Sequence, residues 1–438
     1  MIEKFSVRNF LSFKDEVTLS FEASKSKDFE DLYCVNIKNG IRLLKLGILF
    51  GPNASGKTNV LKALDFLRHF LIRSKPDKTD PTGHIPFLLD EESKDKPGSF
   101  FLSFFVGETR YRYTVEMDKN IVYHEKLVYF PSSQPALFFE REYNQKKKKS
   151  EIEFGNKLGL TSTEKKLIEG LTISNSSVLS VFPKVNIKES PFNEVYDWFS
   201  NGFQTLVTPN VNLTPFVCSK AAKDPECKKM VLEVLQKADF NIDDILFKER
   251  KVPVGSMTEI NEFNLAVSED TKDQYLKDGF IKATEYRFTH KTSKSNMELP
   301  QSLESSGTKR YYGLGGLLLR IVHPGTFMMI DELENSLHID LVSHFLKTFL
   351  ANAKQSQLLV TTHDIHLLGE DFLRRDSIWF TEKNQDGESE LFSLLDFKLH
   401  KNLSPYNAYR VGKLGAKPQP GSIFLSQTAY PHNQNNLG

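Results

Sequence analysis

The sequence contains no apolar run of about 18 or more residues, the length that a membrane-spanning helix needs. Its first residues are charged and polar, unlike those of a secretory signal peptide. The three cysteines, Cys34, Cys218 and Cys227, do not have the spacing of a zinc site. We therefore expect reduced thiols in a cytoplasmic protein without a membrane partner. The formal charge of +1 gives no argument for nucleic acid as a partner, although it leaves a local basic face possible.

Long heptad runs and internal repeats are also missing, which excludes an extended coiled coil and a repeat architecture. The 438 residues have room for about two to three compact units. Changes in the hydrophobic pattern divide the chain into residues 1–155, 156–300 and 301–438.

The first segment begins with alternating apolar residues, which predict two strands within residues 1–21. Residues 43–50 are mostly apolar and run directly into a glycine-containing loop. From Thr58 to about Leu71, apolar residues recur on one side of a predicted helix. Residues 99–154 then change to a period of two, which predicts an antiparallel meander. The basic run Lys146–Lys149 within it is read as a solvated loop, with a phosphate-binding patch as the alternative.

The other two segments differ from the first. Residues 160–250 have a mainly helical pattern, and residues 280–289 predict a strand. The apolar strand predicted at 326–330 ends in Asp331-Glu332, and another at 357–361 ends at Thr362-His363. Apolar strands that end in polar residues, separated by helices, predict a parallel α/β sheet with its ligand at the carboxyl ends of the strands.

The strongest motif is the loop before the first long helix, which fits the phosphate-binding pattern G-x-x-x-x-G-K-[ST]. Its residues, which we predict to bind the nucleotide, are Gly51, Pro52, Asn53, Ala54, Ser55, Gly56, Lys57 and Thr58. Glycines let the backbone N–H groups face phosphate oxygens, and the following helix adds its dipole. Lys57 is expected to reach the β- and γ-phosphates of ATP, and the Thr58 hydroxyl to bind Mg²⁺. A chance glycine turn would lack the strand and the helix on either side.

Three further residues suggest hydrolysis of the nucleotide. Asp331 is expected to hold Mg²⁺, and Glu332 to act as the general base for the attacking water. His363 follows a buried type of strand, where an imidazole can hydrogen-bond the γ-phosphate. Taken alone, an acidic pair at a strand end is more often a turn or a helix cap, and a lone histidine is more often structural.

A serine- and glycine-containing segment, Leu303–Thr308, is predicted to begin a helix. Ser305, Ser306 and Gly307 at a helix N-terminus would make an anion site. On these residues alone, a simple N-cap is the better explanation of the segment.

The order of these motifs resembles that of the ABC-type ATPases, and most closely their branch with the SMC, RecF-like and OLD-family proteins. The opening Phe5–Phe13, the Asn-Ala-Ser interior of the loop and the segment Tyr409–Ala416 are similar to the small AAA proteins without coiled coils in bacterial anti-phage defence loci. The resemblance implies an α/β ABC-type P-loop ATPase head. Its core sheet would be parallel or mixed. Residues 1–155 would contain the glycine loop and an antiparallel meander, and residues 156–300 a mainly helical lobe. Residues 301–438 would contain the signature, the Walker B strand and the His-ended strand.

The same resemblance implies a head-to-tail homodimer with ATP between one subunit's glycine loop and the other's signature, and it leaves larger assemblies open. Ser305, Ser306 and Gly307 would then contact the γ-phosphate in trans, and Glu334–His338 would cross the interface. The turn at Asn9–Phe13 would lie beside the base. Glu304–Gly307 departs from the Ser-Gly-Gly form of transporter motors, and the best-located candidate for a Q-loop glutamine is Gln134.

Two functions remain in competition. The first is an ATP-hydrolysing sensor or scaffold subunit of an anti-phage defence system, which controls a separate effector such as a nuclease. No Asp-x-Asp pair of the kind used by OLD-family nucleases follows His363. The alternative is a RecF- or SMC-like ATPase of DNA repair or chromosome maintenance that clamps DNA, against which the near-zero charge and the missing coiled coil weigh. A transporter motor is disfavoured by the signature, and an effector activity inside residues 155–300 stays open.

Overall fold

The computed structural model describes residues 1–187, 191–238, 240–253, 280–397, 399–400 and 403–417. Within them the strands are β1 (Ile2–Arg8), β2 (Val17–Ser20), β3 (Cys34–Asn36), β4 (Arg42–Leu44), β5 (Leu46–Phe50), β6 (Gly98–Val106), β7 (Thr109–Met117), β8 (Val122–Phe130), β9 (Ala136–Asn144), β10 (Lys149–Phe154), β11 (Ile242–Pro253), β12 (Phe280–Lys291), β13 (Asn296–Pro300), β14 (Phe327–Ile330), β15 (Gln357–Thr362), β16 (Ile378–Lys383) and β17 (Ser389–Ser393). The helices are α1 (Glu30–Tyr33), α2 (Lys57–Ile72), α3 (Ser162–Leu171), α4 (Pro191–Asp197), α5 (Thr214–Lys223), α6 (Pro225–Lys237), α7 (Ser306–Ile321), α8 (Ile339–Asn352) and α9 (Pro405–Arg410).

The functional end of the molecule is built on a sheet with the strand order β14-β15-β5-β16-β17. Its first four strands are parallel, and β17 pairs antiparallel with β16. Every residue of β5, β14 and β15 is buried. Strands covered on both faces need such continuous apolar runs, and this is the pattern from which the sequence predicted a parallel sheet. The prediction is confirmed.

The apolar stretch 43–50 is divided at Lys45 into two strands that belong to different sheets. The Lys45 ammonium is buried and donates hydrogen bonds to the carbonyls of Leu350 (2.9 Å) and Ala353 (2.7 Å) at the end of α8. A cation at the carbonyl end of a helix is favoured by the helix dipole. Lys45 thus fixes α8 beside the strand that leads into the glycine loop.

One segment extends the parallel sheet in a way that the sequence pattern does not show. Residues 203–207 run parallel to β14, with bridges from Phe203 to Phe327 and from Val207 to Ile330. The Val207 carbonyl accepts a hydrogen bond from the Asp331 N–H at 2.9 Å. This segment therefore carries residues 208–210 to the same edge of the sheet as Asp331.

The second large sheet is antiparallel, with the order β10-β9-β8-β7-β6-β1-β2. In β7 the residues Tyr111, Tyr113, Val115 and Met117 are buried, while their neighbours are exposed or half-buried. The alternation gives one face to the core and one to solvent, so the predicted meander is confirmed. Residues 145–148 form the turn between β9 and β10, as expected for a solvated loop.

A helical region carries α7, against which α5 and α6 pack closely. A Cβ atom added to Gly313 would lie 2.6 Å from Leu213, and one added to Gly316 would collide with Val217. The two glycines are thus needed for the approach of the helices. None of the helices in the described residues combines the length and apolar character that crossing a membrane requires.

The expectation of a mainly helical pattern up to residue 250 is wrong for its last part, because β11 begins at Ile242 and pairs with β12. The predicted strand at 280–289 is confirmed as part of β12, and β13 completes a small antiparallel sheet. β-Branched and aromatic residues such as Ile242, Ile245 and Phe247 favour a strand once a partner strand is available. Residues 254–279 of the predicted middle segment lie outside the described residues, and the boundaries at 155 and 300 stay predictions.

Candidate functional site

The glycine loop follows β5 directly and ends where α2 begins at Lys57. Gly56 has a φ of +111°, which side chains other than glycine rarely adopt. A Cβ atom added there would collide with the Ser389 side chain, and one added to Gly51 would lie 2.5 Å from the Thr381 carbonyl oxygen. Both glycines are therefore required by close packing against β16 and β17, as well as by the turn itself.

Lys57 opens α2 with its side chain turned back over the loop. Its buried ammonium donates hydrogen bonds to the carbonyls of Gly51 (2.8 Å) and Pro52 (2.9 Å). Burial lowers the pKa of Lys57, while the nearby carboxylates of Glu334, Asp331 and Glu332 oppose that shift. The result is a cation in a partly desolvated place, where its attraction for an anion is stronger than in water.

Thr58, Asp331 and Thr361 meet at the carboxyl ends of β5, β14 and β15. The Thr58 hydroxyl lies 3.0 Å from Oδ2 of Asp331, and the Thr361 hydroxyl lies 2.6 Å from Oδ1 of the same carboxylate. Thr361 also accepts a hydrogen bond from the Glu332 N–H at 2.8 Å. A hydroxyl beside a buried carboxylate is a set of hard oxygen donors, which fits Mg²⁺ and not a soft metal.

Glu332 and His363 form a contact at the edge of the same cluster. Nε2 of His363 lies 3.1 Å from Oε1 of Glu332, and both side chains are more than a third exposed. The backbone of Glu332 has a φ of +45°, an uncommon conformation for a non-glycine residue. The Glu334 carboxylate accepts a hydrogen bond from the backbone N–H of His363 at 2.5 Å. The polar turn after β14 is thereby tied to the end of β15.

These groups surround an open cleft of about 750 Å³, which is in the size range of ligand sites. Its lining contains residues 53–59 of the loop and helix together with Glu332 and His363. Ser12 and Lys383 complete the wall, and the sequence did not single out Lys383. The glycine loop, Lys57 with Thr58, and the Glu332–His363 pair thus border one space.

The loop is braced by hydroxyl groups, of which those of Thr381 and Ser389 were not predicted from the sequence. Ser55 Oγ lies 2.6 Å from Oγ1 of Thr381 on β16, and Ser389 Oγ lies 2.8 Å from Oγ of Ser12. Ser12 in turn accepts a hydrogen bond from Nδ2 of Asn59 at 2.8 Å. Isolated Ser and Thr residues carry no recognisable pattern, so only the adjacency of β16 and β17 to the loop reveals them. Ser12 lies in the turn that the resemblance places beside the base.

Ser305, Ser306 and Gly307 do not line the cleft over the glycine loop. Ser305 is the N-cap of α7 and its hydroxyl accepts a hydrogen bond from the Thr308 N–H at 3.0 Å. Ser306 instead lines a separate cleft of about 370 Å³. A Cβ atom added to Gly307 would lie 2.9 Å from the Ser336 carbonyl, so the start of α7 packs against the turn after β14. The segment therefore fits both interpretations, with Ser305 as an N-cap and Ser306 beside a possible anion site.

Gln134 is exposed in the connection between β8 and β9 and does not line the cleft over the glycine loop. The segment that runs beside β14 to the edge of the sheet is residues 203–207, and Gln134 is not part of it. Its continuation, Thr208 and Pro209, approaches the turn after β14, since Nδ2 of Asn335 donates to the Pro209 carbonyl at 3.2 Å.

The sequence of residues 48–369 matches the family model described as "AAA domain, putative AbiEii toxin, Type IV TA system". The chain belongs to this family. The motif-based recognition of an ABC-type AAA ATPase is therefore confirmed, and the observed α/β fold agrees with the predicted one. No curated protein matched the sequence.

Several solved structures are similar to this family member. The SMC head domain from Thermotoga maritima aligns with a TM-score of 0.42 at 13% identity, over 90% of this chain and 98% of that one. An SMC head bound to the C-terminal winged-helix domain of ScpA gives a TM-score of 0.43 at 14% identity, over 93% and 99% of the two chains. An SMC head with an extended coiled coil, bound to the C-terminal domain of ScpA derived from Pyrococcus furiosus, gives 0.39 at 14% identity, over 95% and 99%.

Proposed function

We propose that this chain hydrolyses ATP at sites shared between two copies of the chain arranged head to tail. The observation that carries the proposal is the division of the candidate groups between two clefts. The glycine loop, Glu332 and His363 surround one cleft, whereas Ser306 lines another. A nucleotide in the first cleft of one copy would be enclosed by the second cleft of the other.

The proposed chemistry is attack of water on the γ-phosphorus, with cleavage of the bond to ADP and release of inorganic phosphate. Glu332 takes the proton of the attacking water, because its carboxylate is partly exposed to the cleft. His363 exchanges its contact with Glu332 for a hydrogen bond to the γ-phosphate, since a neutral imidazole has a single N–H to donate. Lys57 exchanges its two carbonyl partners for the β- and γ-phosphate oxygens, so that its buried charge stabilises the transition state.

Thr58 and Asp331 are the residues that would hold Mg²⁺, with Thr361 keeping the carboxylate in place. The ion would neutralise the charge that develops on the phosphate oxygens. The other named residues of the loop, Gly51, Pro52, Asn53, Ala54, Ser55 and Gly56, would bind the phosphates through the backbone.

Two variants test the hydrolysis and the dimer. Lys57→Ala should lose binding of a fluorescent ATP analogue. Glu332→Gln should bind the analogue, lower phosphate release roughly 100-fold or more, and double in mass by light scattering when Mg-ATP is added. Glu153→Gln, which removes an exposed carboxylate on β10, is the matched control. Wild-type turnover in Glu332→Gln would contradict the role of Glu332, and a mass that stays monomeric with ATP would contradict the shared site.

For the biological role, we propose a cytoplasmic sensor or scaffold subunit that controls a separate effector during phage infection. The family description, which refers to a toxin–antitoxin system, supports this role. The three free cysteines are compatible with a reducing compartment. Affinity purification of the protein from the native host, with and without infection, should recover a toxin or nuclease. The recovery of this partner should depend on ATP. Recovery of repair or replication proteins instead, with salt-dependent DNA binding, would favour a DNA-clamping ATPase.

A further inference from the structure

Arg310 lies in the second turn of α7 with a side chain that has no hydrogen-bonding partner. Only 8% of the residue is exposed, and Nε and both terminal nitrogens are buried without any acceptor in the part of the chain that the structure describes. A guanidinium has five N–H groups and stays charged in proteins, so burying it unpaired costs stability. This loss of stability is offset only if a group outside the single chain pairs with the guanidinium, unless the arginine has another role that requires it there.

The surroundings of Arg310 point to an anion. Arg310 lines the second cleft together with Ser306, Lys309, Asn335 and Ser336. The first backbone N–H groups of α7, a helix of 16 residues, lack acceptors within the helix. Arg310, Lys309 and the first turn of α7 thus border one cleft, and a guanidinium, an ammonium and a helix N-terminus together suit a phosphate.

The acidic residues whose charges act on Arg310 do not form hydrogen bonds with its guanidinium in the described residues. Burial lowers the pKa of Arg310, and the charges of Glu334 and Glu332 oppose that shift from a distance. One oxygen of Glu334 is already used by the His363 N–H, and its other oxygen is buried without a hydrogen bond. The acidic side chains therefore attract the guanidinium without forming a hydrogen bond with it in the described residues.

Apolar side chains border the same cleft. Val211, which lines it, is 43% exposed, and Leu303, which follows the lining residue Ser302 in the chain, is 70% exposed. Exposed apolar residues beside an anion site favour a protein surface as the cover, because a free phosphate would leave them in water. The protein surface that covers these apolar residues must therefore also bring the anion to the cleft.

We propose that Arg310 binds the terminal phosphate of the nucleotide held by the glycine loop of a second copy of this chain. The inference rests on the proposed head-to-tail dimer and adds a positioning residue to it that neither motif contains. Bidentate binding by the guanidinium would order the phosphate and close the dimer only when the γ-phosphate is present.

Mixing two inactive variants tests whether Arg310 acts in trans. In a head-to-tail dimer of Arg310→Ala with Lys57→Ala, one site has both defects and the other has neither. Random pairing then leaves about a quarter of the wild-type sites intact, so an equimolar mixture should recover about that fraction of phosphate release. No recovery, with mixed dimers demonstrated by two affinity tags, would mean that Arg310 serves its own glycine loop, and would overturn the proposal.

Stability separates this role from a structural one. Arg310→Met should raise Tm of the nucleotide-free protein, since it removes an unpaired buried charge, while it weakens ATP-dependent dimerisation at least 10-fold in the Glu332→Gln background. Affinity for ATP in the monomer should stay within twofold. Arg320→Ala, at the exposed end of α7, is the control and should change neither the Tm nor the ATP-dependent dimerisation. A lower Tm with unchanged dimerisation would overturn the proposal for Arg310 alone, whereas no dimer of Glu332→Gln itself would refute the shared site.

Discussion

Replacing Thr361 by valine would remove one hydroxyl group while keeping the shape of a β-branched side chain. That hydroxyl is fully buried in β15 and joins two residues of the neighbouring strand end. It donates to the Asp331 carboxylate at 2.6 Å and accepts from the Glu332 N–H at 2.8 Å. The substitution therefore tests whether the acidic pair is positioned by the strand beside it.

The expected size of the effect follows from these two hydrogen bonds. A hydrogen bond to a charged group contributes about 1.5–3 kcal/mol, and an unpaired buried N–H costs about 1–3 kcal/mol. Because Glu332 is only half-buried, water can recover part of the second loss. We expect Thr361→Val to lower the free energy of unfolding by about 2–4 kcal/mol, and to lower ATP turnover because Asp331 is less firmly held.

Urea unfolding of the nucleotide-free protein provides the measurement, and Thr289→Val provides the matched control. Thr289 lies in β12 and is also buried, but its hydroxyl has no hydrogen-bonding partner in the described residues. Its removal should leave the urea midpoint unchanged or raise it. If both variants unfolded at the wild-type midpoint and Thr361→Val kept full turnover, the positioning role of Thr361 would be refuted.

One further prediction concerns the glycine loop, and another concerns His84, a buried histidine whose Nε2 lies 2.8 Å from the Asn9 carbonyl oxygen. Gly56→Ala should abolish binding of the ATP analogue, because its Cβ atom would collide with Ser389 and its φ of +111° is unfavourable for alanine. The control Gly40→Ala also has a positive φ but has open space around it, and it should bind the analogue normally. Burial lowers the pKa of His84 from its ordinary value of 6.5, so the folded protein takes up that proton less readily than the unfolded chain. Stability should therefore be complete above about pH 6.5 and fall as the pH drops towards the lower folded pKa. His84→Gln should flatten that fall in urea midpoints measured from pH 7 to pH 5, and an unchanged slope would contradict the assignment.

The sequence predicted the parts of the site in which chemistry and local pattern coincide. Residues 51–58 stand between an apolar strand and an amphipathic helix, and Asp331 and His363 each follow a buried strand. Neighbouring parallel strands end at one edge of a sheet, so their convergence could be expected before any coordinates were known.

The remaining features depend on contacts between distant segments. Thr381 and Ser389 have no local signal, and they matter only because β16 and β17 lie beside the glycine loop. The sequence predicts a helical region that includes residues 203–207, whereas pairing with β14 makes them part of the sheet. Arg310 could be recognised only from a missing partner, and a sequence does not show missing partners.

The position of β5 between β15 and β16 has a consequence for synthesis on the ribosome. Thr58 and Asp331 are 273 residues apart in the chain, yet they share a hydrogen bond. At a translation rate of about 5–20 residues per second, the finished glycine loop waits roughly 15–55 s before its acidic partner is made. The apolar strand β5 spends that time without either neighbour and needs protection from aggregation. A nascent chain that stops before Asp331 also lacks the Asp331 and Glu332 cluster, so only a chain that reaches His363 carries the full set of groups proposed for hydrolysis.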